Sequence, residues 1–164
     1  MTNKTRQTME LVKLSPSQLP MPLLLEADPC EEKIRGYIND CLGFAATQDG
    51  VYLGACLVLP DRNDAAEILN LAVLPSKQGQ GIGTTLLRWT LEQLSAQGIH
   101  RVELGTGSFG PQLTFYQRLG FRVTQVQRDY FLTHYAEPLF EQGIQHKDRL
   151  WLSLDLAGRN SEPF

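Results

Sequence analysis

The sequence has no surplus of positive charge, no long apolar run and no paired cysteines, and each absence removes a class of protein. Lys and Arg number 15 against 18 Asp and Glu, a formal net charge of −3 over 164 residues. Nucleic-acid scaffolds draw much of their affinity from cationic contacts to phosphate and show a basic surplus, so no nucleic-acid partner is expected. The longest apolar runs, such as Ala55 to Pro60 and Leu71 to Pro75, fall far short of the roughly 20 residues that a membrane-spanning helix needs. Met1 to Gln7 is polar and leads into no apolar segment, which argues against a secretory leader. The expectation is a cytoplasmic protein with no membrane attachment. Cys30, Cys41 and Cys56 form neither a CxxC pair nor an even disulfide framework and read as small buried apolar residues. His100, His134 and His146 are scattered in the same way, so no metal site is expected.

What remains is the makeup of a globular domain, with 42% hydrophobic and 20% charged residues. The expected organisation is one domain over residues 1–156 and a loose tail over 157–164. Met9 to Leu14 alternates as a first strand, and Ser15-Pro16-Ser17 can start a short helix that Pro20 and Pro22 interrupt. Helical spacing resumes over Glu31 to Leu42. Gly43 to Leu59 reads as two strands around Asp49-Gly50, a dipeptide suited to a type I′ hairpin because both central residues need positive φ. Glu67 to Leu74 reads as a largely buried strand closed by Pro75.

Ile82, Leu86, Leu87, Leu91 and Leu94 then recur at helical spacing up to Gly98, which stands where a C-terminal cap would. Ile99 to Leu104 is a further strand, Gln112 to Leu119 a short helix and Phe121 to Gln127 a strand. Asp129 to Gln145 reads as a loop or irregular helix, and Leu150 to Leu156 as a closing strand. A hairpin followed by strands alternating with helices implies a mixed sheet with helices on its faces.

Two glycine-rich segments compete for the chemistry. In the first, Gln78-Gly79-Gln80-Gly81-Ile82-Gly83-Thr84 joins the strand ending at Leu74 to the helix from Ile82. Alternate glycines let the backbone turn tightly and present successive N–H groups. The first four N–H groups of a helix lack internal partners and carry partial positive charge, so such a turn suits a pyrophosphate. The alternative is a tight connection and nothing more. No lysine follows Gly83, which excludes a P-loop, and the GxGxG spacing departs from the dinucleotide GxGxxG. The second segment, Gly105-Thr106-Gly107-Ser108-Phe109-Gly110, does match GxGxxG, with Asp129 beyond it. Too little chain follows Asp129 to build the second half of a dinucleotide fold.

Gln78 to Gly83 resembles the Arg/Gln-x-x-Gly-x-Gly/Ala motif of the GNAT superfamily of acetyl-coenzyme A dependent N-acetyltransferases. Leu71-Ala72-Val73-Leu74-Pro75 stands where that family's preceding strand ends, and Phe115-Tyr116-Gln117-Arg118-Leu119-Gly120-Phe121 is similar to its second recurring segment. Two motifs in the right order are more specific than one. The resemblance covers roughly Met9 to Gln127 and implies an α/β fold with a mixed, mostly antiparallel sheet of about seven strands, flanked by helices and splayed in the middle. Asp129 to Leu156 looks like the C-terminal extension of a bacterial branch of the superfamily.

The resemblance also implies roles. Acetyl-coenzyme A would be the cosubstrate, with its pyrophosphate on the amides of Gln78, Gly79, Gln80, Gly81, Ile82 and Gly83 and on the Thr84 hydroxyl. Its pantetheine arm would pair along Leu71, Ala72 and Val73, with the Val73 N–H facing the thioester carbonyl. Tyr116 would protonate the departing thiolate. Glu67 matches a position where some members carry a catalytic glutamate, and a base is needed because an amine with pKa near ~10 is protonated at neutral pH. Many members carry an Asn where Ser108 stands; Ser108 or Thr106 can hydrogen-bond to the pantetheine in its place. No metal and no catalytic cysteine are implied.

The acceptor would be a small-molecule or peptide amine. Asp129, Tyr130, Phe131, His134, Tyr135, Glu137, Phe140 and Glu141 combine aromatic and acidic groups that either line a cationic-amine site or anchor a long loop. Apolar closing strands in such domains can pair between chains, which allows a homodimer. The rival readings are a module that senses acyl-coenzyme A without reacting, and a dinucleotide enzyme built on Gly105 to Gly110.

Overall fold

Asp49 and Gly50 take φ of 54° and 76°, the two positive values that a type I′ turn demands. In the computed structural model, which describes residues 8–157, the flanking segments pair antiparallel as β2 (Leu42–Gln48) and β3 (Val51–Pro60). β1 (Glu10–Leu14) runs antiparallel along β2. Between β1 and β2 lie α1 (Met21–Leu24) and α2 (Glu31–Tyr37). Pro20 and Pro22 begin α1 rather than interrupt a helix, since a first helical turn leaves its N–H groups unused and loses nothing to proline. α2 is shorter than its spacing predicts. The chain tightens into a 3-10 turn over Ile38–Asp40, and Leu42 already opens β2. Asn39 and Asp40 favour that turn over a continued helix.

The remaining elements are β4 (Ala65–Val73), α3 (Ile82–Ala96), β5 (Arg101–Gly107), α4 (Pro111–Arg118), β6 (Arg122–Gln127), α5 (Tyr130–His134), β7 (Phe140–Glu141), β8 (Ile144–Gln145) and β9 (Arg149–Asp155). Seven strands pair in the order β1-β2-β3-β4-β5-β9-β6, and β7 pairs with β8 alone. β4 and β5 are parallel over three register pairs, ending at Glu67↔Glu103, while β4 runs on to Val73 and β5 to Gly107. The mixed, mostly antiparallel sheet with flanking helices agrees with the expected fold class.

Two differences from the sequence reading concern the C-terminal half. β5 runs through Gly105 and Gly107, which were expected to lie past the strand. The segment 129–145, expected as a loop or irregular helix, contains a short helix and also a small hairpin that the expectation lacked. Gln142 and Gly143 take φ of 53° and 76° at the hairpin's turn, a Gln-Gly pair that the usual Asn-Gly signal does not cover. Most of the expected tail, residues 158–164, lies outside the described residues, as do residues 1–7.

The chain divides into two compact units, one holding the residues up to Leu59 with Asn70–Thr90, the other Pro60–Leu69 with the residues from Leu91 on. In the first, Ala46, Leu53 and Ile82 are buried together, with Met9, Leu11, Val73 and Leu74 packed against them. Gly54 decides how closely α3 begins against β3: a Cβ there would lie 3.2 Å from the Ala72 carbonyl and 3.5 Å from Ile82 Cγ2. Asn70, 2% exposed, donates to the Leu24 carbonyl at 2.9 Å and ties β4 to the end of α1. In the second unit Leu91, Leu94, Val102, Leu104, Phe121, Leu152 and Leu154 are buried. Apart from Phe121, which precedes β6, these are the apolar face of α3's last turns and of the β5 and β9 strands.

Candidate active site

The first unit places a run of free amides at the start of a helix. Gly79 and Gly81 take φ of +75° and +82°, and a Cβ at either would meet nothing within 4 Å. Those glycines are required by backbone conformation, since left-handed φ is open to Gly at no steric cost, and not by crowding. The turn is tied at its base, where Gln78 Nε2 donates to the Val73 carbonyl at 3.1 Å. α3's first backbone bond runs from Thr85 N–H to the Gly81 carbonyl at 3.0 Å. Among the described residues the amides of residues 79–84 find no hydrogen-bond acceptor. Such a fan of N–H groups, reinforced by the helix dipole, suits phosphate oxygens. Lys77, Gln80, Gly81 and Thr85 also line a cavity of about 220 Å³.

β4 supplies a second set of donors. Leu74 N–H bonds the Leu53 carbonyl of β3 at 2.9 Å. Because strand amides alternate between the two edges, the N–H groups of Leu71 and Val73 point to the edge away from β3. Ala72, 3% exposed, turns its backbone polar groups toward β3, so Leu71 and Val73 rather than Ala72 present donors to a ligand on that edge. Cys56 is fully buried, and burial pushes its thiol up to about 12; it stays a protonated, weak nucleophile at neutral pH.

The second unit gathers polar side chains on one face. The register aligns Glu67 with Glu103, Glu103 with Ser153, Gly105 with Trp151 and Gly107 with Arg149. On β6, Gln127 stands opposite Arg149. The opposite face carries Val102, Leu104, Thr106, Leu152 and Leu154, all buried, as a period of two requires. Glu103 is held by Arg101, whose Nε lies 2.8 Å from its carboxylate. Burial raises the Glu67 carboxyl above the ordinary range, opposed by the charge of Arg149 and reinforced by that of Glu103. A half-buried carboxylate lifted toward neutral pH has the character of a general base.

Tyr116 sits on α4 with its ring edge-to-face against Phe115 at 5.1 Å and Phe121 at 5.7 Å between centroids. Packing fixes its ring plane, and α4's last carbonyls receive the N–H groups of Leu119 and Phe121. Thr106 is 4% exposed on the apolar face, and its hydroxyl has no partner among the described residues. Ser108 is exposed and borders a recess of about 440 Å³ with Phe109, Gly143, Lys147 and Asp148.

The second glycine motif has a different explanation from a dinucleotide site. A Cβ on Gly105 would lie 2.5 Å from Arg149 Nε, one on Gly107 would strike the His146 ring, and one on Gly110 would strike the Glu141 carboxylate. His146 stacks on Phe109 at 4.1 Å and its Nε2 lies 3.1 Å from Glu141 Oε1. The glycines clear ground for side chains. Sequence reasoning missed Arg149, Trp151 and Gln127, because only the β5-β9-β6 register brings them to the same face as Glu67. The one signal available was the alternation Arg149-x-Trp151-x-Ser153.

The Acetyltransferase (GNAT) family pattern matches residues 10–121. The chain belongs to the GNAT acetyltransferase family. It is 37% identical over 135 residues to the uncharacterized N-acetyltransferase YvbK of Bacillus subtilis, covering 82% of this chain and 87% of that protein. The IAA acetyltransferase from Bacillus cereus superposes with a TM-score of 0.86 at 37% identity, over 91% of this chain and 100% of that one. A GNAT family acetyltransferase from Elizabethkingia anophelis, solved with acetyl-CoA bound, superposes with a TM-score of 0.84 at 31% identity, over 90% of this chain and 98% of that one. This GNAT chain is accordingly an acyltransferase. No helix among its described residues is long and apolar enough to cross a membrane, and no group of three or more His, Cys, Asp or Glu among them is arranged to hold a metal.

Proposed function

We propose that residues 1–156 act as one catalytic domain that moves an acetyl group from acetyl-CoA to a primary amine by direct attack in a ternary complex. The observation that carries this reading is the run of amides without acceptors at residues 79–84. Those amides, with the Thr84 hydroxyl, would hold the diphosphate, and the outward N–H groups of Leu71 and Val73 would pair with the pantetheine arm. Of the two hydroxyls expected for that arm, Ser108 is exposed and Thr106 is buried, so Ser108 is the one free to bond a ligand. Acetyl-CoA supplies the activated acyl carbon. The Val73 N–H, aimed at the thioester carbonyl, would stabilise the developing oxyanion, a contribution of about 3 kcal/mol for one donor in other acyl transfers.

Glu67 takes a proton from the acceptor ammonium, directly or through water, and frees the nitrogen lone pair. The C–N bond then forms as the C–S bond breaks, and the Tyr116 hydroxyl gives its proton to the leaving thiolate. The nitrogen's remaining excess proton passes through water to the Tyr116 phenolate and Glu67 releases its own proton to solvent, so both side chains are restored and one proton is released per acetyl transfer. The test is release of free thiol from acetyl-CoA against a panel of amines. Turnover is expected, and Tyr116→Phe should lower kcat by about 10²–10⁴-fold with acetyl-CoA affinity kept. Wild-type turnover in Tyr116→Phe would remove its role as the acid; tight acetyl-CoA binding without thiol release against any amine would favour a sensing module.

A further inference from the structure

Arg149 is built into the polar face more firmly than a surface arginine needs to be. Its stem lies over Gly105, where any Cβ would collide with it. Its Cζ stands 3.6 Å from the centroid of the Tyr130 ring and 5.3 Å from that of Trp151. Its Nε donates to Gln127 Oε1 at 2.6 Å. Aromatic contact and the Nε bond together fix the plane of the guanidinium. The Nη atoms make no hydrogen bond among the described residues. The edge left over is the one that forks onto a carboxylate.

Glu67, whose carboxyl feels the Arg149 charge, does not close that edge. Arg149 acts on Glu67 electrostatically, yet among the described residues no N···O contact of 4.0 Å or less joins the two. Glu103, the other carboxylate near Glu67, is already paired with Arg101. The face therefore holds one unpaired carboxylate and one oriented, unpaired guanidinium edge with no ion pair between them. Tyr130 is not available to a ligand cation: Arg149 covers its ring, and the His134 ring stacks on it at 4.0 Å.

We propose that Arg149 is a specificity residue that binds a carboxylate on the acceptor, so that the amine acetylated here belongs to a small zwitterion, an amino acid or a close relative, with its nitrogen toward Glu67 and its carboxylate on the Nη edge. This rests on the reading of Glu67 as the base beside the acceptor nitrogen. Gly105 and Gln127 are positioning residues for it. A cationic acceptor without an acidic group would set a second positive charge against Arg149 and leave that edge unpaired.

The test compares L-amino acids with their carboxamides as acceptors, using the full chain and saturating acetyl-CoA. The carboxamides have less basic amines and are better nucleophiles at neutral pH, so selection for the acids runs against intrinsic reactivity. The expected result is a kcat/KM at least about tenfold higher for the favoured acid than for its amide. Arg149→Gln should collapse that ratio through the KM of the acid, and Arg149→Lys should restore part of it. An acid-to-amide ratio of one or less in the wild type, or a high ratio that survives Arg149→Gln, would overturn the proposal. Failure of acetyl transfer itself shows differently, as no thiol release from any acceptor. In that case binding decides: N-acetylated amino acids should raise the Tm of the CoA-loaded protein more than their carboxamides do, and equal shifts would overturn the carboxylate site.

Discussion

The chain uses glycine twice, once at residues 79–83 and once at 105–110, for opposite physical reasons. In the first stretch nothing stands near the missing side chains of Gly79 and Gly81, and these two glycines are required because φ is positive. The result is backbone N–H groups turned outward. In the second, Gly105 and Gly107 lie in a regular strand, and what matters is the absent Cβ, since Arg149 and His146 occupy its place. A glycine motif thus marks either an exposed backbone or room for a neighbour. The letter pattern does not say which, and here the better match to the dinucleotide pattern is the stretch that serves as room.

That contrast can be broken by substitution. Gly81→Val should have the largest effect, because a β-branched residue at φ near +82° is strained by roughly 1–3 kcal/mol and will pull the turn out of shape. Acetyl-CoA affinity by calorimetry is expected to fall at least about tenfold, with the acceptor KM at saturating acetyl-CoA changed far less. Gly105→Ala should do the reverse. Its Cβ would displace the Arg149 side chain, now 2.5 Å away at Nε, and raise the acceptor KM by about 3–10-fold while acetyl-CoA affinity holds. If both variants moved the same constant, the two stretches would not have separate roles.

The smallest effect sharpens the picture of the second unit. Glu67 has a raised carboxyl pKa, chiefly from burial, so the acidic limb of the pH profile of kcat/KM should lie above the ordinary glutamate range, near ~4.3, and should disappear in Glu67→Gln. Stability follows the same sign. A folded pKa above the unfolded one costs stability once pH rises through the shifted value, and costs nothing below the unfolded value. Glu67→Gln should therefore raise Tm at neutral pH and leave it unchanged near pH 4. A loss of Tm at neutral pH would show that the Glu67 charge is compensated in the fold.

The sequence made the first unit readable because its signals are local. Asp49-Gly50 announces the hairpin, Pro75 and the glycines announce the turn, and the spacing from Ile82 announces α3, all within short windows. The second unit was harder because its site is assembled by pairing. Arg149, Trp151 and Gln127 come to one face of the sheet with Glu67 only through the insertion of β9 between β5 and β6, a register that no window of sequence contains. The hairpin within 129–145 escapes a sequence reading for a related reason: its strands are two residues each, below the length at which alternation can be recognised. The aromatic residues there were visible, but their job was not. Tyr130 and Trp151 hold an arginine of the same chain, which composition alone cannot tell from a lining for a cationic ligand.

The most direct measurement is an amide ¹H–¹⁵N titration of the full chain with acetyl-CoA. The largest shifts should fall on residues 79–84 and on Leu71 and Val73, with the 105–110 amides little moved by comparison. Shifts centred on 105–110, or a set that leaves 79–84 untouched at saturation, would contradict the account.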